Sequence, residues 1–397
     1  MGMKFGFAGC GLLAILLWCM AGCSSANNNA TSGVSYLYVT AQANTTISAY
    51  TVTQSTGGLT TVGSALPTGT VPSAIAVTPT GSALFVANTG SNNISTYTIN
   101  SDGSLTGVSG VTATGSTPMG LAVDSGGKFL FVANQGSSSI SVFSINGTTL
   151  TPAPGSPFTT IPTGLSYPNG TLPAAVAVSS SGKFLYVANQ LANFVSAFSI
   201  NSTSGALTPL GVPFYDDGQI SPSGLAVTPN GAFLYVANAG ANSNNISAYA
   251  ICDNVVTTCA NPNTPDGTLT LVTGSPFPAG LGPVAIAFDP GFNFAYVVDK
   301  GSNTISQYSY GPGNGVLTPL SPGTISTGVT PVSIAILPGV VVADIGNSLF
   351  DTTDFAYVAN LGSGTISVFS LTTSSGLLNV VGQPIVIFGQ TSGVLGR

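Results

Sequence analysis

Phe184-Leu185-Tyr186-Val187-Ala188-Asn189 is a short apolar, β-prone run that ends on a turn residue. Versions of it recur at Tyr36 to Thr40, Ala83 to Asn88, Phe129 to Asn134, Phe233 to Asn238, Phe294 to Asp299 and Phe355 to Asn360. A repeat with a period of about 40–60 residues points to a propeller, a solenoid or an array.

Three further β-prone runs surround each copy. A Pro-x-small-aliphatic run precedes it, starting at Pro72, Pro118, Pro173, Pro222, Pro283 and Pro331. Turns such as Thr228-Pro229-Asn230-Gly231 join this run to the hexapeptide. An alternating run follows, as in Ile140-Ser141-Val142-Phe143 and Val195-Ser196-Ala197-Phe198, with the period of two of a half-buried strand. A fourth run opens at Leu59, Leu105, Leu150, Leu207, Leu269, Leu317 and Leu378. Four strands in each of seven units predict an all-β fold, a seven-bladed β-propeller with four-stranded blades. The first hexapeptide lacks a preceding Pro-x-small run. Thr391-Ser392-Gly393-Val394-Leu395 is the expected substitute, so the N- and C-terminal strands are predicted to pair and close the ring.

Composition narrows the chemistry. Charged residues are 4% of 397, against about a quarter in typical domains. All 11 acidic residues are Asp, and His and Glu are absent. Lys4, Lys128, Lys183, Lys300 and Arg397 are the only cations, and the formal net charge is −6. No basic patch exists, so nucleic acid is not an expected partner. With no His, stability is expected to change little between about pH 5 and pH 8, because ordinary Asp and Lys titrate outside that window.

Residues 1–23 have the form of a signal: Lys4, then the apolar Leu12 to Trp18, too short for a stable span. Met20-Ala21-Gly22-Cys23 resembles the bacterial lipobox, which implies lipidation of Cys23 and an exported lipoprotein of the outer membrane, periplasm or cell surface. Residues 24–33 read as a flexible tether, and 34–397 as one propeller domain. Membrane contact is expected only through the lipid anchor, and the domain is expected to be a monomer. Of five Cys, only Cys252 and Cys259 fall in the domain, and an even pair in an exported chain suggests a local disulfide. Extra length lies at residues 161–172, 252–259 and 339–353, of the kind that surface loops tolerate.

The Tyr-Val-Ala-Asn copies resemble YVTN-type repeats. The whole unit is similar to the lactonase family of seven-bladed propellers, which includes bacterial 6-phosphogluconolactonases. The resemblance covers nearly all of 34–397 and implies polar and charged groups around one channel mouth. A phosphorylated lactone needs cationic partners, and hydrolysis needs a base and an oxyanion donor. No His, Glu or internal Arg exists to carry such a site, so an intact sugar-phosphate lactonase site is not expected.

In a propeller the hexapeptide ends on the face where the Pro-x-small run begins. Asn88, Asn134, Asn189, Asn238, Asp299 and Asn360 therefore form a candidate ring at that mouth, with the alternative that each amide serves its own turn. Asp299 is the one member able to act as a base. Asp216 and Asp217 offer two hard oxygens, a partial ligand set for Ca²⁺, and no other cofactor is expected. Two functions follow from these residues. One is a tethered module that binds a protein or a glycan through one face. The other is a hydrolase of an uncharged lactone, using Asp299 or Asp217, with or without a bound cation.

Overall fold

The computed structural model of the chain describes residues 17–21, 35–161, 166–210, 218–254, 265–291, 293–337 and 353–387. Among these residues all regular structure is β, in seven antiparallel sheets that each take four consecutive strands in chain order. The fourth blade is representative, with Pro173–Val178, Phe184–Asn189, Phe194–Ile200 and Leu207–Pro209. In several blades the outer strand is broken in two, and its second piece pairs back to the third strand, as Phe158–Thr159 does with Ser139 and Ile140.

The hexapeptides are the second strands. Those of blades two to six are buried at every position, which is why an uninterrupted apolar run suits them. Their starts are tied down locally. Thr78, Asp124, Ser179, Thr228 and Asp289 each accept the N–H of the hexapeptide's first residue, at 2.6–3.1 Å. The Pro-x-small runs are the first strands, and they touch one another around the ring. In six blades the register slips just after the Pro, as between Pro222 and Gly224. The extra residue of this bulge is buried, and Ser73 and Ser223 use it to donate to the next blade's Pro118 and Pro283 carbonyls, both at 2.8 Å. Backbones come close here: a Cβ on Gly224 would run into the Val284 carbonyl oxygen.

The hexapeptide also joins blade to blade. Its third residue is Tyr in five copies, and each hydroxyl donates to a carbonyl in the next blade: Tyr38 to Gly103, Tyr186 to Gly267, Tyr235 to Gly315, Tyr296 to Gly376 and Tyr357 to Gly57, at 2.6–3.1 Å. Phe85 and Phe131 hold this place in the other two. The last of these bonds spans the seam between the seventh and first blades. There Leu37, Val39, Tyr50 and Val52 share a core with Val332, Tyr357 and Val368.

The first blade departs from expectation. Its innermost strand is Leu17–Ala21, from within the segment read as a signal, paired antiparallel to Ser35–Ala41. The expected occupant, Thr391 to Leu395, lies outside the described residues. An inner position needs only a β-competent run of about five residues with a free ladder, and Leu17-Trp18-Cys19-Met20-Ala21 supplies one.

Candidate functional site

One face of the disc collects the ends of the second strands, the turns into the third strands and the loops that enter the next first strands. These pieces are stitched by backbone. Gly90, Gly136, Leu191, Gly240, Gly301 and Gly362, one per turn, donate to carbonyls of the entry loops at 2.7–3.1 Å. The residue before the entry Pro takes positive φ in six blades, and it is Gly only at Gly282; Val71, Thr117, Leu172, Ser221 and Thr330 do so without that freedom. Their neighbours hold them there. Asn92, Asn193 and Asn303, themselves at positive φ, accept the N–H of Thr117, Ser221 and Thr330 in the following blade at 2.7–2.9 Å.

Asn88, Asn134, Asn189, Asn238, Asp299 and Asn360 stand at the hexapeptide ends on this face, as expected. Their side chains turn into the blades: none is more than 2% exposed. Their partner is a serine of the third strand. Asn88, Asn134, Asn189, Asn238 and Asn360 donate through Nδ2 to Ser95, Ser141, Ser196, Ser247 and Ser367 at 2.8–3.0 Å. Each amide thus clamps the second strand to the third. The sequence does carry the signal for this clamp. The serine follows by seven residues in four Asn copies and in the Asp copy, and by nine after Asn238.

Asp299 reverses the bond. A carboxylate cannot donate, so Ser306 donates to its Oδ2 at 2.7 Å and Thr304 does so at 3.2 Å. Oδ1 is buried and has no hydrogen-bond partner among the described residues, and neither have the side-chain oxygens of Asn88, Asn134 and Asn189. No cation lies within ion-pair distance of Asp299 among the described residues, where the ion pair is Lys183 with Asp266 at 3.5 Å. Burial therefore dominates the hydroxyl bonds and pushes the Asp299 carboxyl up to about 6. This corrects the flat profile expected between pH 5 and pH 8, which assumed ordinary carboxyls. Burial also raises Asp289, although the carboxylate accepts three backbone N–H groups, from Gly291, Asn293 and Phe294.

Asp216 and Asp217 lie outside the described residues, as do Cys23 and Cys259. Cys252 is buried at the end of a third strand. The described residues contain no group of three or more acidic or Cys side chains placed to hold a metal.

Sequence reasoning missed what the face displays. Leu191, Ile220, Leu281 and Val329 are 47%, 40%, 57% and 54% exposed. They sit on this face in four consecutive blades, the fourth to the seventh. The signal was present two residues before the entry Pro. That position is Thr70, Ser116 and Thr171 in blades two to four, and Ile220, Leu281 and Val329 in blades five to seven.

A closed ring of seven repeat-built blades, with an amide ring buried at one mouth, defines the chain as a seven-bladed propeller with a polar-clamped face. The family model described as "Lactonase, 7-bladed beta-propeller" matches residues 30–156, 153–257 and 252–387, and the chain belongs to that family. Among solved structures, a Bacteroides fragilis protein described as a candidate 6-phosphogluconolactonase is 19% identical, with a TM-score of 0.73, covering 91% of this chain and 97% of that one. The periplasmic gluconolactonase of Pseudomonas aeruginosa is 21% identical, with a TM-score of 0.60, covering 75% and 84%. At these identities the likeness is one of fold. No curated protein sequence matches the chain.

Proposed function

We infer that this protein is an exported lactonase-family propeller, tethered through a lipidated Cys23, that works mainly as a binding module and lacks an intact sugar-phosphate lactonase site. The observation that carries this reading is the contrast on the mouth face. Its one ring carboxylate, Asp299, is buried and engaged by Ser306, while Leu191, Ile220, Leu281 and Val329 stand exposed beside it in sequence-adjacent blades. Exposed aliphatic groups in an arc fit the apolar side chains of a protein partner better than a phosphorylated sugar. A glycan ligand is the alternative within this reading. A Cys252–Cys259 bridge would close the 252–259 loop, and the tethered domain acts as a monomer without nucleic acid.

A second reading has one specific support. Asp299 is held near pKa 6 with an oxygen free of hydrogen bonds, and a base poised near neutrality suits hydrolysis of an uncharged lactone. Asp217, with Asp216 and a bound Ca²⁺, is the other base that this reading can use. The test is turnover of a panel of uncharged lactones by the processed protein, with and without Ca²⁺. No turnover above blank supports the binding reading. Turnover that disappears in Asp299→Asn or Asp217→Asn overturns it, and the Asn variants keep the side-chain volume so that loss of fold is not the cause.

A further inference from the structure

The flank of blade seven holds a cavity of about 150 Å³. Its walls are Phe369, Val380 and Pro384, with Ser326 to Gly328 arriving from blade six. Phe369 belongs to the third strand, Thr365–Thr372, and Val380 stands opposite it on the outer strand, Leu378–Val380. The other blades show which two groups are missing here.

The first is a hydroxyl. Phe369 takes the place of Tyr97 in blade two and Tyr308 in blade six. Those tyrosines donate to the carbonyls of Pro67 and Pro278, which end the outer strands of the preceding blades, both at 2.5 Å. Ser326 is the matching residue before blade seven. In all three cases the next residue, Thr68, Ala279 or Thr327, donates its N–H back to its own blade, at Thr45, Asn244 and Asn303. Backbone groups of neighbouring strand residues point opposite ways, so the Ser326 carbonyl faces blade seven. Phe369 has no hydroxyl to offer it, and no other hydrogen bond reaches it among the described residues.

The second is a serine. In blades three and five the outer strand turns through Ser156-Pro157 and Ser275-Pro276. Each serine hydroxyl accepts a third-strand N–H, from Val142 or Ala248, at 2.9 Å. The carbonyls of Val142 and Ala248 accept from Ala153 and Val272, where the outer strand breaks, and Val368 accepts from Val381 in the same way at 2.8 Å. The step from there to the second outer piece is five residues in blades three and five, to Phe158 and Phe277, but four in blade seven, to Ile385. The shortened turn, Gly382-Gln383-Pro384, carries no serine. The Val368 N–H, on the same side of the strand as its carbonyl, lacks that cap.

Elsewhere one of the two groups remains. Blade two has the short turn, Val108 to Thr112, but keeps Tyr97; blade three has Phe143 but keeps Ser156. Blade four has Phe198, and its turn lies outside the described residues. Among the described residues blade seven alone lacks both. Its cavity therefore joins an unmet acceptor and an unmet donor to apolar walls. A volume of about 150 Å³ with such walls suits a single ring the size of benzene. No charged side chain lines it, which disfavours an ion.

We propose that this cavity binds a neutral one-ring phenol. The ring packs on Phe369 and Val380, and the hydroxyl donates to the Ser326 carbonyl as Tyr97 and Tyr308 do in their blades. The site lies on the flank of the disc and is independent of what the mouth face binds. The test is titration of the full chain with phenol, toluene and benzoate, followed through the amide NMR signals of Val368 and Val380. Phenol should shift both signals saturably, and benzoate should shift neither. Toluene should bind about fivefold more weakly than phenol for want of the hydroxyl. Phe369→Tyr supplies the missing hydroxyl from within, and Val380→Trp covers the rim from a position that is 64% exposed. Each variant should unfold as cooperatively as the parent and bind phenol at least about tenfold more weakly. Signals that phenol leaves unmoved, toluene or benzoate binding as tightly as phenol, or unchanged phenol affinity in either folded variant would overturn the proposal.

Discussion

Blades four and six are built alike around different groups. Asn189 and Asp299 end matching hexapeptides, both are fully buried, and both meet a serine seven residues on at 2.7–2.8 Å. In blade four the amide donates and the serine oxygen accepts. In blade six the serine donates and the carboxylate accepts. One slot is therefore indifferent to pH, and the other holds a proton up to about pH 6. The backbone tolerates either group; the difference lies in which proton inventory the slot carries, and it is written in a single atom per side chain.

The comparison breaks most sharply if blade four is given blade six's group. Asn189→Asp should add a second buried carboxylate to the ring, again without a cation. Taking the Asp299 shift as the measure, the cost above pH 7 is on the order of 3 kcal/mol. At pH 4 the protonated acid can donate to Ser196 and most of the loss should vanish. Chemical denaturation at pH 4 and pH 8 reads both values, and an equal loss at the two pH values would refute the buried-carboxylate account.

The converse exchange should help. Folded Asp299 titrates near 6 and an unfolded Asp near 3.9, so the native state holds more protons between those values. Stability is then full below about pH 4 and falls as pH rises through about 6. The raised Asp289 acts in the same direction. Asp299→Asn should flatten that fall and stabilise the protein at pH 8 by about 1–3 kcal/mol, the amide donating to Ser306 as its siblings do. Melting curves from pH 4 to pH 8 for both proteins decide it; parallel curves would show that Asp299 is not the titrating group.

Removing the serine should separate the slots again. Ser306→Ala deletes the shorter of the two hydroxyl bonds to the carboxylate. It should raise the Asp299 pKa further and cost about 1.5–3 kcal/mol at pH 8, as bonds to charged groups do. Ser196→Ala deletes a neutral bond, and about 1 kcal/mol is expected at any pH. The pH dependence of the difference between the two variants is the readout.

The blade pattern was legible because it is local. Pro173–Val178 and Phe184–Asn189 are strands with the bounds that periodicity and turn residues set. The role of Asn189 was less so: its own turn was the alternative partner of the amide, while in the structure its shorter bond goes to Ser196, a contact that depends on strand register, and a longer one goes to the Val187 carbonyl of its own strand. The pKa of Asp299 needed burial, which no single residue type declares. The inner strand of blade one was ambiguous for a different reason. Leu17 to Ala21 and Thr391 to Leu395 are both β-competent, and only one can lie on Ser35–Ala41. The aliphatic arc of Ile220, Leu281 and Val329 was readable in the repeats, but exposure is a property of the assembled face.

The smallest effect is a control on where the two blades differ. Tyr186 and Tyr296 occupy the same hexapeptide position, and each donates to a glycine carbonyl in the next blade, Gly267 at 3.1 Å and Gly376 at 2.7 Å. Burial pushes the Tyr296 phenol far above its ordinary value, with Asp289 and Asp354 adding to the rise. Phe85 and Phe131 show that the ring accepts the loss of this hydroxyl at two other seams. Tyr186→Phe and Tyr296→Phe should therefore each cost about 1 kcal/mol, alike in blades four and six and unchanged from pH 4 to pH 8. A pH-dependent loss for Tyr296→Phe alone would mean that the distinct electrostatics of blade six extend beyond the Asp299 slot to the seam with blade seven.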